Sequence, residues 1–439
     1  MRLARCAYIG FAIQIASLYL PSVCATAQTT LQAKKSVVVN AQVLDSDVGK
    51  YQLDPRMIAV AHTGDHLESV LPGISRLEFP PQPAGEALKA ECARIDSFVA
   101  AAFAKQPYGS VTVGVVSGKE LFWTKSYGDA DMEKKTPADK DTIYRIGSIT
   151  KMFTALMLEQ LADSATVHLS DPVEKYVPEI KAVTGRYVGA SPITLIQLAT
   201  HTSGLGREPA NVKIYMTGSV ADWEKTELLA LRDTHYIAEP GTVYSYSNIG
   251  YATLGLALER ATGKPYLAYV PAHIFVPLDM THTSLDATPD MLPHLSKGYD
   301  VDGAPDASNS VKELKGRGYK VPNGAIFTTV GDLAHFASFL MGEGPDNVLT
   351  TASLKRYQRQ YVVPSSADLK NGYGIGFFVA RRNNYVAFGH DGAVSGYRSA
   401  LYVNMNAKLG IIVLSSAIGP RAIDADDLAL KSLDLLSTN

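Results

Sequence analysis

Residues 397–415 have the sequence YRSALYVNMNAKLGIIVLS, in which two apolar and β-branched runs, Tyr397–Val403 and Ile411–Ser415, flank a short polar stretch. The segments Tyr373–Ala380 and Tyr385–Phe388 just before them have the same character, so we predict four consecutive strands. Strands that follow one another without crossover helices favour an antiparallel sheet.

The rest of the chain adds a hairpin and several amphipathic helices. Val111–Val116 and Leu121–Ser126 are strand-like runs, and Ser117-Gly118-Lys119 between them has the composition of a hairpin turn. Helical periodicity predicts helices over Glu86–Gln106, Ser148–Ala162, Asn248–Ala261, Thr329–Met341 and Arg421–Leu436. We therefore predict an α+β fold, an antiparallel sheet flanked by helices.

Composition excludes several classes of protein. The 439 residues are 46% hydrophobic and 19% charged, which is typical of a globular protein and not of a disordered, collagen-like or coiled-coil chain. The formal net charge is only -2 and basic residues are not clustered. Nucleic acid and anionic membranes are therefore not expected partners.

The N-terminus predicts an export signal. Arg2 and Arg5 precede the apolar run Ala7–Leu20, and Ala25-Thr26-Ala27 supplies small residues in an A-x-A spacing. We predict a signal peptide over residues 1–27, cleavage after Ala27 and a periplasmic or secreted protein without a membrane span. A lipoprotein anchored at Cys24 is the alternative. Cleavage leaves Cys92 as the one cysteine, and its amphipathic setting predicts a buried apolar role.

Residues 28–85 differ in character from the rest of the chain. Val37–Val39 and the region around Ile58–Ala61 have strand character, and four prolines then mark a linker at positions 72, 80, 81 and 83. We predict a small β-rich extension and a tether before the main domain, which begins at residue 86.

Ser148-Ile149-Thr150-Lys151 is the first candidate catalytic element. At a helix start, this spacing places the serine and the lysine on one face, and the helix N-terminus favours negative charge on Oγ. If Lys151 is partly buried, its pKa falls, and a neutral amine can then accept the proton of Ser148. The alternative is a capping serine beside a solvated lysine.

Tyr246-Ser247-Asn248 is the second element, on a loop that leads into a helix. A phenol near a lysine ammonium ionises more easily and can act as base and acid. The amide of Asn248 can hold a substrate carbonyl and tether Lys151. The alternative is an aromatic loop with Asn248 as helix N-cap.

His390-Asp391-Gly392 is the third element, predicted just past the strand that contains Phe388. Gly392 permits close approach of backbone to a ligand. The N–H of Ala393 can then pair with that of Ser148 as an oxyanion hole. The alternative is a β-turn, for which Asp-Gly is a favourable sequence.

The three elements together resemble the serine β-lactamase-like and penicillin-binding protein family, which comprises class C β-lactamases, D-alanyl-D-alanine carboxypeptidases of the His-x-Gly type and related esterases. Four further segments are similar to that family's usual sequence. They are Leu198–Leu205, Pro277–Met280 with Thr283, Asn323–Leu333 and Gly372–Gly376.

The resemblance covers residues 86–439 and implies a β-lactamase/transpeptidase-like fold, with a sheet part at 86–170 and 318–439 and a helical part at 171–317. It implies Ser148 as nucleophile, Lys151 as base partner and Tyr246 as the proton shuttle to the leaving group. Asn248, His390, Gly392 and Ala393 would bind substrate. His201 and Thr202 also match but are interpreted as structural.

Two departures bear on the substrate. Class C β-lactamases usually have lysine where His390 stands, and Asp391 would repel a carboxylate if its side chain entered the cleft. We therefore predict an exported serine hydrolase of small esters or D-amino-acid peptides and amides, with weak or no β-lactamase activity. The alternative is a non-catalytic protein that binds peptidoglycan fragments or acyl compounds. No sequence pattern implies a metal or cofactor.

Overall fold

The computed structural model describes residues 59–63, 66–70, 85–300, 318–358, 371–382 and 384–437. The chain divides into two compact units between Leu77 and Glu78. In the first unit, strands β1 (Ala59–Thr63) and β2 (His66–Val70) form an antiparallel pair, and β1 coincides with a predicted strand. The predicted signal peptide, the strand at 37–39 and the proline-rich linker lie outside the described residues.

The second unit is built on an eight-stranded sheet. Its strands are β3 (Ser110–Ser117), β4 (Glu120–Asp131), β5 (Thr136–Pro137), β9 (Asn371–Tyr373), β10 (Phe378–Arg381), β11 (Val386–Val394), β12 (Tyr397–Asn404) and β13 (Leu409–Ser415). They lie in the order β5-β4-β3-β13-β12-β11-β10-β9, and every neighbouring pair is antiparallel. Two small pairs accompany it: β6 (Tyr144–Arg145) with β8 (Phe327–Thr328), and β7 (Tyr299–Asp300) with β14 (Ala417–Ile418).

The helices of the second unit fall on both faces of this sheet and in the predicted helical part. They are α1 (Gly85–Lys105), α2 (Thr150–Asp163), α3 (Leu195–Ala199), α4 (Val212–Tyr215), α5 (Trp223–Arg232), α6 (Asn248–Thr262), α7 (Tyr266–Val270), α8 (Val321–Gly324), α9 (Val330–Leu340), α10 (Thr351–Tyr357) and α11 (Ala425–Ser437). Within the described ranges, no helix is long and apolar enough to cross a bilayer.

Alternation along the strands creates two hydrophobic cores. On β13, Ile411 and Val413 pack with the buried faces of α1 and α11, whereas Ile412 and Leu414 pack with α2, α9 and the helical part. This is the period-two pattern of a sheet covered on both faces. Cys92 lies in the first core, 2% exposed, as its pattern predicted.

The predicted α+β fold is confirmed, and two local predictions need correction. The stretch 373–380 forms two strands rather than one, because the chain turns between β9 and β10 and Gly376 has a φ of +82°. The third candidate element, His390-Asp391-Gly392, lies inside β11 and not in a turn after it. Pairing of His390 with Leu401 and of Gly392 with Ser399 outweighs the turn preference of Asp-Gly.

Candidate active site

Ser148 lies in a tight turn that connects strand β6 to helix α2. The segment Gly147–Ile149 forms one turn of 3-10 helix and α2 begins at Thr150, two residues later than predicted. Gly147 has a φ of +48°, a conformation that costs little only for glycine. Ser148 therefore sits on a sharp bend just before the helix.

Lys151 is fully buried beneath this turn. Its Nζ donates hydrogen bonds to Ser148 Oγ and to the backbone carbonyl of Asn323, both at 3.0 Å. The amine also lies 4.9 Å from the ring centroid of Tyr246. Burial, together with the positive charge of Lys320, lowers the pKa of Lys151 well below its usual value. The predicted contact between serine and lysine is present, and the lysine is poised to be neutral.

Tyr246 completes a chain of three polar groups. Its phenol is hydrogen-bonded to Ser148, so the serine lies between Lys151 and the tyrosine. Burial among other rings raises the pKa of Tyr246, which contradicts the expectation that a nearby lysine would make the phenol ionise more easily. Tyr246 is therefore a neutral O–H donor, and Lys151 is the better base.

Asn248 opens helix α6, but its amide does not tether Lys151. Its Nδ2 donates to Glu208 Oε1 at 2.6 Å, while its Oδ1 is buried without a hydrogen-bond partner. The Asn323 carbonyl tethers the lysine instead. The N-cap of α6 is Ser247, whose side chain accepts from Gly250 N at 3.0 Å, so the predicted alternative for Asn248 is also wrong.

His390 is buried on β11 and both its ring nitrogens are engaged. Nδ1 bonds the backbone carbonyl of Asp391, which can only accept, so Nδ1 carries the proton. Burial lowers the pKa of His390 to about 3, which keeps the ring neutral. Nε2 then accepts from the Tyr373 hydroxyl at 3.1 Å. His390 therefore fixes Tyr373 and is not free to bond substrate in this arrangement.

Gly392 and Ala393 lie directly against the Ser148 turn. A Cβ on Gly392 would collide with the carbonyl oxygen of Ile146, and a Cβ on Gly147 would lie 2.9 Å from Ala393 N. The close approach at Gly392 is thus to the chain's own backbone and not to a ligand. It brings the N–H-bearing backbone of Ala393 beside Ser148, as an oxyanion hole requires.

Asp391 points away from the cleft. Alternation along β11 places it on the face opposite His390, and the charges that act on it are, in falling order, Asp426 on α11, Lys151 and Asp424 just before α11. Partial burial and Asp426 raise the pKa of Asp391 to about 6, although 44% of its side chain is exposed. Its side chain therefore does not line the site, although its charge still acts on Lys151 and Tyr246.

Several residues around the site were given no catalytic or binding role by the sequence. Glu208 holds the Asn248 amide, and the Tyr319 hydroxyl donates to its other oxygen. His201 is buried at a φ of +57°, accepts from Ser247 N at 3.0 Å and packs 4.1 Å from the Tyr246 ring. His201 and Tyr373 lie in segments that carried the family resemblance. No local signal pointed to Glu208.

The described residues contain no group of three or more His, Cys, Asp or Glu side chains that could hold a metal ion. The reactive groups that the fold brings together at this site are the serine, the lysine and the tyrosine.

Comparison with known proteins places these residues in a family. Residues 95–434 match the family described as Beta-lactamase. The chain belongs to the β-lactamase family. Protein flp of Staphylococcus aureus strain N315 is 28% identical over 327 residues, which are 74% of this chain. The matched part spans 62% of the length of that relative.

Two solved structures share the fold of this β-lactamase-family chain. The octameric penicillin-binding protein homologue from Pyrococcus abyssi superimposes with a TM-score of 0.64 at 22% identity, over 79% of this chain and 77% of that one. A D-alanine carboxypeptidase from Burkholderia cenocepacia superimposes with a TM-score of 0.64 at 18% identity, over 80% and 99%. These likenesses support the β-lactamase/transpeptidase-like fold.

Proposed function

We propose that this protein is an exported serine hydrolase that acts through an acyl-enzyme on small esters or on D-amino-acid peptides and amides. The observation that carries the proposal is the buried Lys151 amine 3.0 Å from Ser148 Oγ, with the Tyr246 phenol bonded to the same oxygen. A nucleophile with an adjacent neutral base and a separate proton donor is the arrangement that acyl transfer needs.

Acylation begins with proton transfer. Lys151 takes the proton of Ser148, and Oγ attacks the substrate carbonyl carbon. The N–H groups of Ser148 and Ala393 stabilise the oxyanion that forms. As the bond to the leaving group breaks, Tyr246 gives its phenolic proton to that group and recovers one from Lys151. The acyl chain remains on Ser148, and the free amine form of Lys151 is restored.

Deacylation reverses these roles with water as the nucleophile. Lys151 takes, through the Tyr246 hydroxyl, the proton of a water that attacks the acyl carbonyl, and the proton is then returned to Ser148 Oγ as that oxygen leaves. The product is a carboxylic acid. We place this reaction in the periplasm or outside the cell, on the basis of the signal-peptide pattern in residues 1–27.

Strong β-lactamase activity is not part of the proposal. His390 is neutral and is bonded to Tyr373 and to its own strand, so it offers no charge to the carboxylate of a β-lactam. Asp391 faces α11, so it repels that carboxylate only from a distance. We propose slow acylation by β-lactams rather than exclusion of them.

The experiment compares the chain from residue 28 onward with its Ser148→Ala variant and with Ser97→Ala, which changes an exposed serine on α1. Each receives a p-nitrophenyl ester, a D-alanyl-D-alanine peptide and a chromogenic cephalosporin, with intact mass recorded during turnover. We expect an acyl adduct and turnover in the native and Ser97→Ala chains only. Equal background rates in all three, with no adduct on any probe, would favour the non-catalytic binding protein.

A further inference from the structure

We propose that Arg207 binds a carboxylate on the acyl part of the substrate, so that the preferred substrates are esters or amides of acids with a second, negatively charged carboxyl group. This inference rests on the proposed hydrolase function and specifies its substrate class.

Arg207 is fixed at the edge of the catalytic residues. Its backbone carbonyl accepts hydrogen bonds from Asn248 N at 2.8 Å and from Ile249 N at 3.4 Å, at the start of α6. Its guanidinium carbon lies 4.7 Å from the ring centroid of Tyr246. The backbone is therefore anchored beside Asn248, and the charge lies over the tyrosine that contacts the nucleophile.

The guanidinium is exposed and makes no ion pair within the described part of the chain. Its neighbour Glu208 is already shared among Asn248 Nδ2, the Tyr319 hydroxyl and Lys320 Nζ, which is 3.6 Å from Oε1. The ring contact with Tyr246 leaves the N–H edges of the guanidinium available. A planar fork of donors held on an aromatic face suits bidentate binding of a carboxylate.

The charge balance of the cleft also favours an anion. Lys151 is poised to be neutral, Lys320 is offset by Glu208, and Asp391 lies on the opposite face of the sheet. Among the described residues at this cleft, Arg207 is thus the cation without a compensating carboxylate. An anionic acyl group would supply one.

The acyl side is the better location for that carboxylate. Arg207 is tied to the start of α6, on the wall that carries Asn248 and Tyr246, whereas the amides of Ser148 and Ala393 lie on the sheet side. A short methylene chain on the acyl group can pass the half-buried rings of Tyr244 and Tyr246 and reach the guanidinium. The expected substrate is therefore a half-ester of a short dicarboxylic acid.

The test uses p-nitrophenyl hydrogen adipate and its uncharged partner, p-nitrophenyl methyl adipate. Rates are divided by those of hydroxide-catalysed hydrolysis, so that intrinsic reactivity cancels. The protein is compared with Arg207→Met, with Arg207→Lys and with Arg94→Met, which removes a cation on α1 that pairs with Glu91 on the far side of the sheet. A third ester, 3-carboxy-4-nitrophenyl acetate, carries its charge on the leaving group.

We expect the native protein and Arg94→Met to prefer the charged adipate by roughly tenfold in kcat/KM, the scale of a charged hydrogen bond at a partly exposed site. Arg207→Met should bring that ratio close to one, and Arg207→Lys should be intermediate. The native preference should fall as salt rises. Because Arg207 also touches Tyr246, the ratio and not the absolute rate is the readout.

Three results would overturn the inference. If both adipates are hydrolysed and Arg207→Met leaves their ratio unchanged, Arg207 does not select the acyl group, while the proposed hydrolase stands. If Arg207→Met lowers the rate on the third ester and leaves the ratio of the two adipates unchanged, Arg207 binds a carboxylate on the leaving group and not on the acyl group. If no ester is turned over and Ser148 gains no acyl mass, the hydrolase proposal itself fails, and this inference fails with it.

Discussion

The Nζ of Lys151 lies 3.0 Å from the Oγ of Ser148, although the two residues belong to different elements, the helix α2 and the turn before it. The same amine is held from the other side by the Asn323 carbonyl, 172 residues away in the chain. The geometry of the proposed nucleophile therefore depends on packing between α2 and α8 as well as on the local Ser-x-x-Lys spacing.

Lys151 predicts a pH dependence. Because only the free amine can accept the Ser148 proton, kcat/KM should rise with pH through the pKa of Lys151 in the free enzyme, well below the usual pKa of lysine. Lys151→Arg, which stays charged, should lose about 10²- to 10⁴-fold in kcat. Rates on a p-nitrophenyl ester between pH 5 and 10 would measure both. Lys125→Met, which removes a lysine paired with Asp96, should keep the native profile.

Substitution of Gly147 is expected to lower activity through a steric contact. The same substitution at Gly118, which also has a positive φ, separates this effect from backbone strain. Gly147→Ala would place a Cβ 2.9 Å from Ala393 N at a φ of +48°, and so displace Ser148 from β11. Gly118 in the β3–β4 turn has a φ of +57°, but a Cβ there would meet nothing within 4 Å. Both variants should lose about 1 kcal/mol to backbone strain. Gly147→Ala should also lose kcat, by tenfold or more.

Urea unfolding and steady-state kinetics on the two glycine variants separate these effects. Equal activity in Gly147→Ala and Gly118→Ala would show that the contact with Ala393 does not position the nucleophile.

His390 predicts a loss of stability in acid. Its pKa is about 3 in the folded protein against about 6.5 for an unfolded histidine. Between these pH values, the unfolded chain therefore binds a proton at this residue and the folded chain does not. The contribution of neutral His390 to the free energy of unfolding is fully present above pH 6.5. It is lost as the pH falls toward 3, by about 1.4 kcal/mol per pH unit. His390→Asn should flatten the dependence of the free energy of unfolding on pH over this range.

Urea titrations at several pH values between 7 and 4 would measure that slope. His168→Asn, at an exposed histidine, is the control and should keep the native slope. A slope in His390→Asn identical to that of the native chain would mean that His390 is not buried in neutral form.

Cys92 predicts a thiol that is silent until the protein unfolds. It is 2% exposed, and burial raises its pKa to about 11, so at neutral pH it is neither accessible nor ionised. The chain from residue 28 onward should take up no maleimide in buffer and one in denaturing urea. Cys92→Ser should take up none in either. Rapid labelling of the native chain would contradict this placement of α1 against the sheet.

The sequence predicted the elements whose signals are periodic. The run 397–403 corresponds to β12 at Tyr397–Asn404, and 248–261 corresponds to α6 at Asn248–Thr262. The serine–lysine contact followed from spacing on one turn. Such features depend on local alternation and on helical pitch, which neighbouring residues determine.

What the sequence missed depends on tertiary contacts. Glu208 lies 40 residues before Asn248 in the chain, and no local pattern indicates that its carboxylate would accept a hydrogen bond from the Asn248 amide. The pKa of Tyr246 was predicted to move in the wrong direction, because the surrounding rings of His201 and Phe378 are brought there only by folding. The orientation of Asp391 could have been predicted, since a strand that places His390 in the cleft must turn its neighbour away.

Asp391 therefore predicts an absence of effect at the cleft. If its carboxylate repelled substrate carboxylates, Asp391→Asn would increase acylation by a cephalosporin. Because it lies on the α11 side near Asp426, we expect the rate to change by less than about twofold in this variant, the scale of a distant, partly screened charge. Time courses of the acyl mass with a chromogenic cephalosporin would measure it.

The same substitution should act on the other face of the sheet. Asp391 and Asp426 repel each other, and this repulsion contributes to the raised pKa of Asp391, about 6. A neutral asparagine should make the protein more stable above pH 6, where both carboxylates are charged, and should leave stability unchanged at pH 4. Asp141→Asn, at an exposed aspartate that pairs with Lys140 away from this cluster, is the control and should give no such gain. A tenfold faster acylation without this pH-dependent gain would instead place the Asp391 carboxylate in the cleft.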